Sequence, residues 1–161
     1  MTIGCLPTLA SRLIPDVFPW HWTLSPRPSA VIVGLGTDII ETVRIGQMIE
    51  RHGELFLQRV FTEQEIRYCQ RRKEAIQHYA GRWAAKEAVM KTLGTGFTKG
   101  VGFQDIEIVN RRSGQPSIKL RGSAQELAKR MGIDDVLISI SHCRAYATAT
   151  AVAVQHSAKG E

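Results

Sequence analysis

Residues 75–93 contain no proline, and Ile76, Tyr79, Ala80, Trp83 and Ala84 recur along them at helical spacing. The spacing predicts one long central helix, stopped at Gly94, a residue suited to the left-handed position after a helix end. Before it, residues 31–35 read as a short buried strand ended by Gly34 and Gly36. Residues 42–51 read as a helix, on the spacing of Val43, Ile45, Met48 and Ile49. Thr62 followed by Glu65 is a capping-box signature and predicts a helix over 63–72. After the central helix, 103–110 and 117–120 read as the strands of a hairpin, joined by a turn over 111–116. Ser123, with Glu126 at the reciprocal position, predicts the cap of a helix reaching Met131. Residues 136–141 and 145–154 read as the last two strands, linked by His142, Cys143 and Arg144. This order predicts an α+β fold in which helices pack on an antiparallel sheet.

A chain of 161 residues suits one domain with a core of its own. Patterning begins only at Val31. Residues 1–30 hold Pro7, Pro15, Pro19, Pro26 and Pro28, which interrupt every apolar run, and they contain no lysine. They read as an extension outside the domain and not as a signal peptide, which needs a basic start and an unbroken apolar stretch. Choice of an upstream start codon would account for them, and the intact mass of the natural protein tests that reading. The domain is expected over 31–155, with a short tail over 156–161. No run approaches the ~18 apolar residues of a membrane-spanning helix, so no membrane is expected. Cys5, Cys69 and Cys143 match neither a zinc site nor a redox pair and read as incidental, which points to a reducing, cytoplasmic setting.

The formal net charge is +6, so an anionic partner is expected: nucleic acid, a phosphorylated ligand or an acidic protein. Two carboxylates stand in unusual places. Asp38 follows a buried strand and precedes Ile39 and Ile40, where a charge is costly unless capped, paired or bound to a cation. Glu87 continues the apolar stripe of the central helix, with a pair to Lys91 at i+4 as the structural alternative. Two carboxylates without a Cys–His cluster suit a hard cation such as Mg²⁺, which completes its shell with water and phosphate oxygens. Arg82 and Lys86 share one helix face at i,i+4, and both could reach an anion beside such a metal. Gly94, Thr95 and Gly96 could present backbone N–H groups to a phosphate, or could only stop the helix. His142 stands where a strand meets a tight connection, and on position alone it reads first as a structural residue.

The segments GLGTDIIE (34–41), RWAAKEAVMKTLGTG (82–96) and ISISHCRAYA (138–147) together resemble the signature segments of holo-acyl-carrier-protein synthases, the bacterial class of 4′-phosphopantetheinyl transferases. The resemblance covers 31–155. Residues 1–30 have no counterpart in it, and Trp83 stands where the family often has phenylalanine. It implies the small α+β fold of that family, assembled as a homotrimer with active sites between neighbouring subunits. It implies Asp38 and Glu87 as Mg²⁺ ligands. Arg82, Lys86, Lys91, Gly94, Thr95 and Gly96 would lie near coenzyme A phosphates, and Pro116 and His142 would line the nucleotide site. Arg44 and Arg51, seven residues apart on one predicted helix, would grip an acidic acyl carrier protein.

The reaction so implied is attack of a carrier serine hydroxyl on the β-phosphorus of coenzyme A. Phosphopantetheine passes to the serine, and adenosine 3′,5′-bisphosphate leaves, a step in fatty acid biosynthesis. Such transfers rest mainly on positioning and charge stabilisation. Lys86 or Lys91 would oppose the charge on the leaving oxygen; a metal-bound water, or Glu87 acting through it, would take the serine proton, and His142 is the lesser candidate for that proton. The competing readings are a Mg²⁺-dependent phosphohydrolase acting on a nucleotide, a basic nucleic-acid-binding module and a purely structural oligomer subunit. Dispersed charge and a tryptophan placed within the buried stripe argue against nucleic acid.

Overall fold

A computed structural model of the protein describes residues 30–95 and 100–156. Most of the expected extension, Gly96 and the expected tail beyond His156 lie outside the described residues. The elements in chain order are β1 (Ala30–Glu41), α1 (Thr42–Val60), α2 (Glu63–Gln70), α3 (Ala75–Thr92), a 3-10 turn (Phe103–Asp105), β2 (Ile106–Asn110), β3 (Pro116–Leu120), α4 (Gly122–Arg130), β4 (Asp135–His142) and β5 (Tyr146–His156). Strands β1, β5 and β4 form an antiparallel sheet in that order, and β2 and β3 form a separate hairpin. The fold is therefore α+β as expected, with the strands divided between two sheets. No helix among the described residues is long and apolar enough to cross a membrane.

Helix α3 lies across the three-stranded sheet. Ala80, Ala84, Ala85 and Ala88 meet Ala147, Ala149, Ala151 and Ala153 of β5, all of them buried. Small residues on both surfaces bring helix and sheet close. The glycines of β1 extend the same device. A Cβ at Gly36 would sit 2.1 Å from the Ala88 carbonyl oxygen and 2.7 Å from Thr92 Oγ1. A Cβ at Gly34 would sit 2.6 Å from the Thr92 carbonyl oxygen. Gly34 and Gly36 therefore do not end the strand, as their composition suggests. They let the helix rest on it, and β1 runs on through Asp38 to Glu41.

Other boundaries shift for identifiable reasons. Helix α1 continues past Arg51 to Val60 across a non-helical break at Gly53. Phe103 begins a 3-10 turn, and the strand starts at Ile106. Ser123 does not cap α4: its hydroxyl donates to the Gly100 carbonyl (2.8 Å) and to Asp105 Oδ2 (2.7 Å), and the cap position is Arg121. The capping box of α2 forms as expected, with the Thr62 N–H on Glu65 Oε2 at 2.8 Å and the Glu65 N–H on Thr62 Oγ1 at 3.3 Å.

The predicted apolar stripe of α3 is too narrow. The helix is buried over most of its circumference, with Arg82 and Lys86 inside, while Ile76 at its start is 45% exposed. The sheet covers one side, and α1, α2 and β2 cover the other. On the far face of the sheet, Leu35, Ile39 and Leu137 remain exposed at 68%, 66% and 53%.

Candidate active site

The middle of β1 and the last turns of α3 bring Asp38, Glu87 and Lys91 together. Lys91 Nζ donates to Asp38 Oδ1 at 2.8 Å and to the Thr37 carbonyl at 2.8 Å. The Thr148 hydroxyl on β5 donates to the Asp38 carbonyl at 2.8 Å, which holds that stretch of strand. Burial raises the Glu87 carboxyl above its ordinary value, the neighbouring Asp38 charge raises it further, and Lys91 opposes both. The two carboxylates thus sense each other across the helix–strand contact that Gly36 permits. Their oxygens suit a hard cation that takes one or two carboxylates and keeps open positions for phosphate oxygens. Among the described residues no cluster of three His, Cys, Asp or Glu offers a rival metal site.

A second cluster forms where α3 passes the hairpin and the end of β4. A cavity of about 170 Å³ there is lined by residues that include Tyr68, His78, Arg82, Asn110, Pro116 and His142. Arg82 is 5% exposed; its guanidinium lies 3.8 Å from the Tyr68 ring centroid and donates through Nη2 to Asn110 Oδ1 at 2.9 Å. Its buried Nε has no hydrogen-bond partner among the described residues. A guanidinium so placed is prepared for an anion entering the cavity. His142 closes β4, and its ring lies 5.1 Å from that of His78.

The family model described as the 4′-phosphopantetheinyl transferase superfamily matches residues 34–151, which span both clusters. The chain belongs to this superfamily. A holo-[acyl-carrier-protein] synthase of Ruminiclostridium cellulolyticum is 50% identical over 119 residues, 73% of this chain and 89% of that protein. Among solved structures, a Plasmodium yoelii acyl carrier protein synthase with ADP bound is similar at a TM-score of 0.71 and 33% identity, covering 80% of this chain and 99% of that one. A Bacillus anthracis holo-(acyl-carrier-protein) synthase in complex with CoA (3′,5′-ADP) is similar at a TM-score of 0.64 and 36% identity, covering 77% and 97%.

In this phosphopantetheinyl transferase the expected residues fall into two groups, not one. Asp38, Glu87 and Lys91 share the first cluster; Arg82, Pro116 and His142 share the second. Lys86 joins neither. Its side chain is fully buried, and its ammonium donates to Glu65 Oε2 (2.7 Å), the Val60 carbonyl (2.7 Å) and the Phe103 carbonyl (2.9 Å). All three of its hydrogens are used, so the expectation that it reaches a phosphate is corrected. Gly94 has φ 64°, and the N–H groups of Gly94 and Thr95 return to the carbonyls of Lys91 (3.0 Å) and Met90 (3.1 Å). This pattern closes the helix and occupies two amides that had been expected to face a phosphate. Arg44 and Arg51 are exposed on α1.

Tyr68, His78 and Asn110 line the second cluster's cavity and are not singled out by the sequence reading. Only His78 left a signal, its i,i+4 spacing from Arg82 on the helix.

Proposed function

We propose that this chain transfers the 4′-phosphopantetheine group of coenzyme A to a serine of an apo-acyl carrier protein and releases adenosine 3′,5′-bisphosphate. Membership of the superfamily and the names of the relatives supply the reaction. The convergence of Asp38 and Glu87 beside Lys91 is the observation that carries its chemistry here. Mg²⁺ held by these two carboxylates would supply charge neutralisation at the pyrophosphate. Lys91 stands beside them with its ammonium half exposed, placed to oppose charge on the leaving oxygen. Glu87 would receive the serine proton through a water molecule. His142 lines the Arg82 cavity, so its role is to orient the nucleotide and not to serve as the base.

One chain offers the two halves of this site on different faces. Asp38 lies on the β1 edge of the sheet and His142 on the β4 edge, with β5 between them and His142 two residues further along than the position level with Asp38. Glu87 and Arg82 are set roughly 140° apart around α3. On this reading, one coenzyme A molecule would meet the first half of the site on one copy of the chain and the second half on another. The exposed apolar side chains of Leu35, Ile39 and Leu137 support a homotrimer packed through the open sheet face. The carrier protein would dock on α1, where Arg44, Met48 and Arg51 share one helix face. Met48 also lines an apolar groove of about 450 Å³ with Leu55, Phe56, Trp83 and Phe103. The cytoplasm is the compartment this reading assigns. A phosphohydrolase has nothing in its favour among relatives named for transfer.

The test is mass spectrometry of apo-acyl carrier protein incubated with the chain, coenzyme A and Mg²⁺. A gain of one phosphopantetheine unit on the serine, lost with a chelator, is expected. Release of phosphate without a modified serine would overturn the reading in favour of hydrolysis.

A further inference from the structure

His78 has no part in the reaction as described, yet it occupies the wall of the Arg82 cavity. It is half-buried on α3, one turn before Arg82. Its ring stands edge-on to Tyr68 of α2 at 5.9 Å and to His142 of β4 at 5.1 Å. The charged side chains nearest it are cationic. Arg82 follows on its own helix, and Arg72 approaches from the end of α2, its guanidinium 4.6 Å from the Tyr68 ring centroid. His142 faces it from β4. Glu74, at the N-cap of α3, is exposed, and its backbone carbonyl accepts the His78 N–H at 3.4 Å. Among the described residues no carboxylate lines the cavity.

This geometry sets the Arg82 guanidinium and two imidazoles around one small space, with Arg72 just outside it and the Arg82 Nε–H unpaired among the described residues. The arrangement disfavours a further positive charge while the cavity is empty, and an anion relieves this. Resting on the proposed function, we infer that His78 is a positioning residue for a phosphate monoester of the bound nucleotide, and that it takes up a proton as this phosphate enters the cavity. In the empty cavity, burial and the charges of His142, Arg82 and Arg72 hold the imidazole below its ordinary value of 6.5, so it is neutral at physiological pH. A phosphate dianion beside it reverses the sign of the local field and favours the imidazolium. The bound proton comes from solvent, and no covalent bond changes.

The linkage has a definite sign. The complex holds one more proton than the free protein, so affinity falls as pH rises between the free and bound values of His78. The fall reaches at most tenfold per pH unit. The ligand phosphate titrates near pH 6 as well, so the comparison that isolates His78 is between the wild type and His78→Gln or His78→Phe.

The experiment is calorimetric titration of the full chain with adenosine 3′,5′-bisphosphate and with 5′-AMP, in two buffers of different ionisation enthalpy, between pH 6 and 8. Wild type is expected to take up a fraction of a proton with the bisphosphate. Both variants should bind more weakly and lose that uptake, while their transfer reaction persists with a raised KM for coenzyme A. Loss of the uptake with both ligands alike would place the anion at the 5′-phosphate; loss with the bisphosphate alone would place it at the 3′-phosphate. Either result supports the inference. Tight binding by wild type with no uptake, or uptake undiminished in both variants, overturns it and leaves the proposed reaction standing. If wild type binds neither nucleotide, the proposed reaction and this inference fall together.

Discussion

Lys91 Nζ lies 2.8 Å from Asp38 Oδ1, and this pair ties the last turn of α3 to the middle of β1. Both groups keep some contact with water, 49% exposed for Lys91 and 16% for Asp38, so the bond contributes little stability. Its consequence is positional. It sets an ammonium and a carboxylate side by side where Glu87 adds a second carboxylate.

Removing either carboxylate should disable the reaction and spare the fold. Asp38→Ala and Glu87→Gln are each expected to lower kcat by roughly 10²–10⁴-fold. Circular dichroism and thermal unfolding should stay close to wild type. Near-normal turnover in either purified variant would refute the assignment.

Lys86 and Lys91 sit on one helix and should behave in opposite ways. Lys86→Met leaves the buried Glu65 carboxylate without its cation, a loss of about 3–5 kcal/mol. Lys91→Met should change stability little and reduce kcat. Urea unfolding and steady-state kinetics on the same two proteins separate the roles, and a Lys86 variant of unchanged stability would contradict the buried ion pair.

Gly36→Ala probes the contact that carries Glu87 to Asp38. The new methyl meets the Ala88 carbonyl oxygen, so helix and strand must separate. Overpacking of this kind costs about 1–3 kcal/mol. Turnover should fall further than stability alone accounts for, because the two carboxylates move apart. A variant with wild-type Tm and activity would show that the close approach is not needed.

The two described thiols should differ sharply in reactivity. Burial pushes Cys69 up to about 12, so it stays a thiol in the folded protein. Cys143 is exposed, and hydrogen bonds from the backbone N–H groups of Tyr146 and Ala145 lower it from its ordinary 9.0. In a Cys5→Ser background, a disulfide reagent should titrate one thiol quickly at neutral pH, with a half-maximal rate below pH 9.0. The second should appear only on unfolding. Rapid labelling of Cys69 in the native protein would show that the core around it opens.

Charge reversal on α1 tests the carrier surface. Arg44→Glu is expected to raise KM for the carrier protein severalfold at low salt and to lose most of that effect by 0.5 M salt, where screening is strong. KM for coenzyme A should not move. An unchanged carrier KM at low salt would displace the docking site from this helix.

Local chemistry was legible in the amino-acid order. The Thr62–Glu65 box, the helix stop at Gly94 and the hairpin around Gly114 arise between residues a few positions apart, and all three form. The signature segments likewise identified the family before any coordinates. Burial was not legible. A charged residue at helical spacing reads the same whether it faces water or a partner from another element, so the sequence alone offers Lys86 as a phosphate ligand, whereas in the fold Glu65, Val60 and Phe103 surround its ammonium. Gly34 and Gly36 looked like strand breakers for a similar reason: what needs them small is α3, more than fifty residues downstream. Only the packed chain could decide such matters, because they depend on what arrives from a distance. The same holds for the parting of Asp38 from His142, which follows from placing β5 between their two strands.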